Sequence, residues 1–321
     1  MRRRLPLPNS LARRPFAVSD ALREGISERR LRDPELARPF RGTRAVPQSF
    51  PAPETRAARE QRLLLSACAA YALRLRAGEH FSHQTAARLW GCPLPTWFSS
   101  EPALHVAISG RAARGTGVVG HHTARPAVVE RHGLPVSDPA STWIALASVL
   151  PLDDLVAAGD HLILDPRVLD PRDLRPYLRI DELESRLRSF HGRGARSAKA
   201  ALPLLRQGAE SRPETLVRLL LVRAGYPEPV LQAPITDDRG KLLGYADLYW
   251  PEFKIVVEYD GQHHRTDDAA YDRDITRIDD FIAAGNIVVR IRKRGLFTAP
   301  AGEVARVERA FRERLSASSG R

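Results

Sequence analysis

Three carboxylates in the last third of the chain, Asp247, Glu258 and Asp260, have the types and spacing to hold a divalent cation. Glu258 and Asp260 lie two residues apart in Phe253-Lys-Ile-Val-Val-Glu-Tyr-Asp260, which reads as a strand. Side chains alternate between the faces of a strand. Val256, Glu258 and Asp260 therefore share one face, and Ile255, Val257 and Tyr259 the other. Leu242 to Trp250 is also strand-like, and Pro251-Glu252 between the two runs reads as a turn. With a two-residue turn, Trp250 pairs with Phe253 and Asp247 with Val256. Asp247 then lies diagonal to Glu258 on the same face, with Cα atoms about 7–8 Å apart. Carboxylates on a sheet otherwise built of Ile, Val and Leu are costly to desolvate without compensation. A hard cation such as Mg²⁺, which takes few protein carboxylates and keeps several waters, supplies it. Such an ion activates water and stabilises charge building on a scissile phosphate. The alternative is an exposed hairpin whose polar face meets solvent. The continuation Gly261-Gln-His-His264 favours chemistry, because Gly permits close backbone approach and His264 is suited to proton transfer near neutral pH. Asp267, Asp268, Asp272 and Asp274 read mostly as the acidic first turn of a solvated helix.

The elements that must position these groups are legible nearby. Ser211-Arg-Pro-Glu-Thr215 is a helix start, with Ser211 as N-cap, Pro213 early and Glu214 three residues after the cap. That helix runs to Gly225. After the two strands, Tyr271 to Ala284 reads as a helix ended by Gly285, Asn286 to Arg292 as another strand, and Gly302 to Leu315 as a closing amphipathic helix. The order predicts an α/β fold with a mixed sheet flanked by helices. Breaks at Pro47–Pro53 and Arg193–Ala201 divide the chain into three expected domains, 1–50, 51–200 and 205–321.

In the first of these, Ser19 can cap a helix through Ala21, Leu22 and Glu24. Gly25 ends it, Ser27 restarts Glu28–Arg32, and Phe40 to Val46 reads as a turn with an extended strand. Two short helices around a Gly turn, followed by a basic hairpin, follow a winged helix-turn-helix plan. Arg29, Arg30 and Arg32 on the second helix would then meet phosphates or base edges of DNA. A small helical cap with a solvated arginine face fits equally well. In the middle segment, helices are expected at Glu54–Arg76, at Phe81–Trp90 behind a Ser82 cap, and at Ser137–Val149. Leu104–Ile108 alternates like a strand, with Gly115–His122 able to pair with it. His83, His105, His121, His122 and His132 are scattered without acidic or Cys partners at ligand spacing, and read as structural or solvated. Adjacent His121 and His122 would face opposite ways.

Composition is consistent with a polyanionic partner. The chain of 321 residues has a net charge of +12, and residues 1–60 hold 14 Arg against 7 acidic side chains, whereas residues 205–321 hold 19 basic and 18 acidic groups. A basic segment for phosphates and a separate acidic cluster for cations divide the labour. No apolar run approaches the roughly 18–20 residues that span a bilayer, and the start does not read as a signal peptide. Cys68 and Cys92 form neither a zinc ribbon nor a disulfide framework, so a reduced, cytoplasmic setting is expected.

Two resemblances add to this reading. Ser211-x-x-Glu214, Tyr245-Ala-Asp-Leu-Tyr-Trp-Pro251, Val257-Glu-Tyr-Asp-Gly-Gln-His-His264 and Arg273-Asp-Ile-Thr-Arg277 resemble, in order, the very-short-patch-repair-like branch of the PD-(D/E)XK nuclease superfamily. The resemblance covers about residues 205–300. It implies a restriction-endonuclease-like fold and a DNA endonuclease dependent on Mg²⁺ or Mn²⁺, in repair or defence. Asp247 and Glu258 would be metal ligands, Glu214 would approach from its helix, Asp260 would assist and His264 would be the general acid/base. Arg277 would touch phosphate, as could Arg290 and Arg292, which read equally as solvated strand residues. Asp260 stands where the superfamily signature has Lys. Lys254 shares the parity of Glu258 but sits two pairs away.

Phe16-Ala-Val-Ser-Asp-Ala-Leu-Arg-Glu-Gly-Ile-Ser-Glu-Arg-Arg-Leu-Arg32 and Phe40-Arg-Gly-Thr-Arg44 resemble the winged-helix N-terminal domain of AbiEi-type antitoxins. Phe81-Ser-His-Gln-Thr-Ala-Ala-Arg-Leu-Trp-Gly91 and Gly133-Leu-Pro-Val-Ser-Asp-Pro-Ala-Ser-Thr-Trp143 are similar to the domain that follows it in actinobacterial relatives. Asp33-Pro34 interrupts the recognition helix of that plan. This resemblance implies a rival function, a non-catalytic DNA-binding antitoxin or transcriptional regulator with a cognate toxin as partner. An RNA substrate is a third expectation.

Overall fold

A computed structural model describes residues 7–47, 54–99, 103–261 and 268–319. The chain divides into two compact units, Met1–Leu146 and Ala147–Arg321, each with mixed α and β structure. Among the described residues no helix is long and apolar enough to cross a membrane.

After a single helical turn at Asn9–Ala12, the first unit has two short helices, α1 (Val18–Arg23) and α2 (Glu28–Leu31), and a two-stranded ribbon of β1 (Phe16–Ala17) and β2 (Thr43–Arg44). Leu11, Phe16, Ala21, Leu31 and Leu36 form their small core. Ser27 caps α2 as expected, accepting from the Arg30 N–H. Ser19 does not cap α1: the N-cap is Ala17, and the Ser19 hydroxyl lies inside the first turn, donating to Asp20. Helix α3 (Arg56–Ala72), shorter than the expected Glu54–Arg76, starts where the Thr55 side chain accepts from the Ala58 N–H.

A six-stranded mixed sheet follows, built from β3 (His80–Phe81), β4 (Leu104–Ile108), β5 (Arg114–Gly115), β6 (Val118–His122), β7 (Val128–Arg131) and β8 (Leu134–Ser137) in the order β5-β6-β4-β3-β8-β7. The expected pairing of 104–108 with 115–122 is present, as a parallel ladder of β4 and β6. Helices α4 (His83–Leu89) and α5 (Pro139–Leu146) belong to this unit. Ser82 sits at the N-cap of α4 but makes no cap bond; its hydroxyl meets Nδ1 of His83 at 3.1 Å instead.

The second unit opens with helices α6 (Leu152–Ile163), α7 (Ile180–Arg188), α8 (Ala195–Ala201) and α9 (Arg212–Arg223). A four-stranded sheet comes next, β9 (Val230–Thr236), β10 (Leu242–Trp250), β11 (Ile255–Asp260) and β12 (Ile287–Arg292), in the order β12-β11-β10-β9. Strands β9, β10 and β11 are antiparallel. β12 runs parallel to β11, a connection that needs a crossover, here helix α10 (Asp268–Ala283). Helices α11 (Lys293–Thr298) and α12 (Pro300–Ser319) close the chain. Strand β9 carries Pro234, which an edge strand tolerates because the missing N–H is not needed on its open side.

Parity sorts β11 between two cores. Val256 packs with Ile278 and Phe281 of α10. Ile255 and Val257 pack with Val217 and Leu221 of α9 and with Val307 and Phe311 of α12. The register, however, differs from the expected one. The β10–β11 connection is a 3₁₀ turn at Pro251–Phe253 followed by Lys254 with φ 48°, not a two-residue turn. Trp250 therefore pairs with Ile255, and not with Phe253. Two extra turn residues shift the ladder by an even number, so every side chain keeps its face.

Candidate active site

The observed register brings the two principal residues closer than a diagonal. Leu248 pairs with Val257, so the next step along the ladder sets Asp247 opposite Glu258. The contact is direct: the Asp247 N–H donates to Oε1 of Glu258 at 3.2 Å, and the Tyr259 N–H donates to Oδ2 of Asp247 at 2.9 Å. Each carboxylate is thus oriented by the other strand's backbone.

Glu214 joins them from α9. Ser211 caps that helix, accepting from the Glu214 N–H at 3.4 Å and donating its hydroxyl to Oε1 of Glu214 at 2.7 Å. Oε2 accepts the Glu210 N–H at 2.8 Å, so the helix start fixes the carboxylate in the reciprocal manner of a capping box. Gln232 on β9 bridges the group, donating from Nε2 to Oε2 of Glu214 at 3.3 Å and to Oδ1 of Asp247 at 3.4 Å. Gln232 has φ 47°, a left-handed conformation unusual for a non-glycine residue, which interrupts β9 opposite Asp247.

Charge is not balanced here. Glu214, Asp247 and Glu258 are all buried or nearly so, with Glu258 only 5% exposed. Burial pushes the Asp247 carboxyl well above its ordinary range, and the neighbouring Glu258 and Glu214 push it further. Burial likewise raises Glu214, with Glu210 adding to it against hydrogen bonds from Ser211 and others. The cation that answers them is Arg277 of α10, whose guanidinium donates to Oε2 of Glu258 at 2.8 Å, to Asp274 at 2.6 Å and to the Tyr245 carbonyl at 2.8 Å. Burial opposes its charge, but the ion pairs with Glu258 and Asp274 outweigh that and hold it firmly protonated. Gly244 clears its path: a Cβ there would stand 2.9 Å from Cδ of Arg277.

Asp260 keeps the face of Glu258 but is engaged differently, lying 3.4 Å from both Arg290 and Arg292. Arg290 also reaches Asp274 at 3.1 Å, so alternating charges run from Asp260 through Arg290, Asp274 and Arg277 to Glu258. Arg277, expected at phosphates, and Arg290 both have their guanidinium groups in this chain. His264 lies outside the described residues. On α2, Arg30 pairs with Asp33 at 2.9 Å and Arg32 with Glu28 at 2.6 Å, while Arg29 is exposed.

The donor chemistry fits a hard divalent cation. Two buried carboxylates and the half-buried Asp247 face one guanidinium, and each oxygen that accepts one hydrogen bond retains a lone pair. The arrangement is not a finished cage. Among the described residues no group of three or more His, Cys, Asp or Glu side chains is placed to hold an ion as it stands. The Gln232 amide stands between Glu214 and Asp247.

The structure also gathers groups that spacing in the sequence had separated. Rings of His83 and His121 stack at 3.5 Å, and Nδ1 of His105 lies 2.9 Å from Nε2 of His121. Burial, aided by neighbouring imidazoles, depresses His83 to about 3 and His121 to about 4. The expectation that these histidines were scattered is therefore corrected for three of them. Their cluster depends on the parallel β4–β6 ladder and on the α4 start, and neither leaves a mark at ligand spacing. Nothing in the run Val-Leu-Gln-Ala-Pro-Ile-Thr pointed to Gln232 either.

No protein-family model matches the chain, and no solved structure matches it. It is similar to two uncharacterised proteins of Mycobacterium tuberculosis, one from strain CDC 1551 / Oshkosh and one from strain ATCC 25618 / H37Rv. Each is 29% identical over 197 residues, 60% of this chain and 66% of the relative. The chain thus spans just under two thirds of the length of the curated relatives it matches.

Proposed function

We propose that residues 205–321, within the unit Ala147–Arg321, form a restriction-endonuclease-like domain that hydrolyses phosphodiester bonds of DNA with Mg²⁺ or Mn²⁺, preceded by a winged-helix DNA-binding region. One observation carries the reading: half-buried Asp247 and buried Glu258 meet across adjacent strands with Glu214 beside them, in an excess of negative charge. Asp247 and Glu258 would hold the cation, with Glu214 behind them. A bound ion supplies Lewis-acid stabilisation of charge on a phosphate and acidifies water.

The chain's own groups do the rest. Backbone N–H groups of Asp247 and Tyr259 aim the two carboxylates, and Gln232 sets Oδ1 of Asp247 relative to Glu214. Arg277 holds Glu258 by its second oxygen and keeps it from turning away. Asp260 orients Arg290 and Arg292 beside the site, and His264 is assigned the proton transfer.

Incubation of the purified chain with supercoiled plasmid and Mg²⁺ or Mn²⁺ tests the proposal. Nicking or linearisation is expected, lost in Asp247→Asn and in Glu258→Gln. Cleavage that survives both substitutions, or none with either cation, overturns it.

A second reading has its own support. Arg277 already neutralises Glu258, and Asp260 replaces the signature Lys, which suits a nuclease-type fold retained without activity in a DNA-binding regulator with a toxin as partner. A gel shift on the chain's own promoter that ignores Asp247→Asn and Glu258→Gln, with no cleavage, would favour that reading.

A further inference from the structure

The N-terminal segment holds most of the chain's excess positive charge, yet Arg30 and Arg32 of α2 are paired with acids. The uncompensated arginines are elsewhere. Residues 38–44, the end of α3 and the β5–β6 hairpin enclose a cavity of about 710 Å³ lined by Arg38, Arg41, Arg44, Arg74 and Arg114. No acidic side chain lines it, and among the described residues none of the five arginines has a carboxylate partner. All lie within the first unit.

We propose that this cavity binds a phosphorylated nucleotide, free or within a nucleic-acid strand, with the arginines on its phosphates and the Phe40–Tyr71 aromatic pair beside its base. Clustered like charges cost energy in the empty protein, and a multiply charged anion removes that cost. The fold holds them together nonetheless. Arg44 is half-buried and positioned, its Nε donating to the Leu31 carbonyl at 2.6 Å and one terminal nitrogen to the Thr43 carbonyl at 2.8 Å. Arg38 donates to the Arg32 carbonyl at 3.0 Å. Burial and the nearby Arg38 lower the Arg44 pKa, the sign of a cation lacking a counter-charge.

Arginine, with its planar fork, is the residue suited to bidentate phosphate contacts. Arg38, Arg41, Arg74 and Arg114 are exposed and can reach a ligand without rearranging the core. The aromatic component argues against a bare inorganic anion. Half-buried Phe40 stands edge-on to the buried Tyr71 with ring centroids 5.1 Å apart, and both residues line the cavity. Rings interleaved with guanidinium groups stack bases without regard to sequence. The volume is within the usual range for small-ligand sites. An acidic peptide would use the arginines but not the rings. The proposal is independent of the nuclease reading, because the cavity and the carboxylates lie in different units.

Fluorescence anisotropy of the full chain with a short labelled single-stranded oligonucleotide tests it. The triple variant Arg41→Ser/Arg74→Ser/Arg114→Ser removes exposed groups only. It is expected to bind about tenfold or more weakly, with the log–log salt slope reduced by about 2, three contacts at roughly 0.7 each. Arg188→Ser/Arg193→Ser/Arg196→Ser, equal in charge and exposed in the second unit, is expected to bind as the parent does. Arg114→Glu alone, read by the same assay, serves if the triple variant misfolds. Unlabelled ADP that displaces the probe supports a site for one nucleotide. Displacement by oligonucleotide alone supports a strand segment. Parental affinity in both cavity variants, an equal loss in the second-unit control, or displacement by polyglutamate but by neither nucleotide competitor overturns the proposal.

Discussion

Substituting Arg218 by Met removes the buried cation that ties α9, and with it Glu214, to α6. Arg218 and Asp160 are each 1% exposed, 3.4 Å apart, and Arg218 also donates to Glu228 at 2.8 Å and to the Leu204 carbonyl at 2.7 Å. Asp160 accepts the Arg206 N–H at 2.7 Å and the Thr215 hydroxyl at 2.9 Å. Burial nevertheless pushes Asp160 up to about 6, outweighing Arg218 and these hydrogen bonds. From the ordinary 3.8 that is a rise of about 2 units, or about 3 kcal/mol at roughly 1.4 kcal/mol per unit. The sign is set by the raised folded value. The stability that Asp160 contributes is fully present below about pH 4 and is lost as pH rises through about 6.

Without Arg218 the folded value of Asp160 rises further. Near pH 7.5 the variant should lose about 3–5 kcal/mol, the usual consequence of leaving one partner of a buried pair. Near pH 5 Asp160 is mostly protonated in both proteins, and the loss should shrink by about 1.4 kcal/mol for every unit by which the substitution raised it. Urea unfolding of the second unit at both pH values measures this. Adding Asp160→Asn should recover much of the loss near pH 7.5. An equal loss at both pH values, or no recovery in the double variant, would show that Arg218 does not compensate the Asp160 charge.

Other outcomes follow from the same structure. Asp247→Asn removes a carboxyl whose folded pKa is raised, so it should raise the melting temperature of the second unit near neutral pH while ending cleavage, as thermal melts beside the plasmid assay would show. Acid should act on the first unit in the opposite sense. His83 is depressed to about 3, so stability present above about pH 6.5 is lost as pH falls, by about 2 kcal/mol near pH 5; His121, more exposed, adds less. Hydrogen exchange on β4 and β6 between pH 7 and pH 5 would record it. Gly244→Ala should push Arg277 off Glu258, costing about 1–3 kcal/mol and lowering cleavage with it; wild-type stability and rate together would contradict that role for the glycine.

What could be read from residues alone follows physical range. The common face of Val256, Glu258 and Asp260 depends only on strand period, and the Ser211 cap only on four neighbouring residues; both are local. The 3₁₀ turn with left-handed Lys254 was not legible, because Pro-Glu-Phe-Lys suits several turns, and only the even size of the shift preserved the face. Arg277 shows the limit most clearly. The resemblance implied a phosphate contact for it, but its partners come from β10, β11 and its own preceding turn, which meet only in the folded unit. The histidine cluster and the arginine cavity are of the same kind, gathered from segments far apart in the chain. Mixed α/β structure was legible from periodicity, whereas the edge strand Val230–Thr236 was masked by Gln232 and Pro234, which break its alternation.

The most direct test of the carboxylate site as a cation site is binding of Mn²⁺ to the full chain, followed by loss of the free-ion electron paramagnetic resonance signal. One ion per chain should bind near neutral pH, with affinity falling as acid protonates Asp247 and Glu214, and binding should be lost in Asp247→Asn and weakened in Glu214→Gln. A free-ion signal undiminished by the protein, or binding that Asp247→Asn leaves intact, would contradict the account.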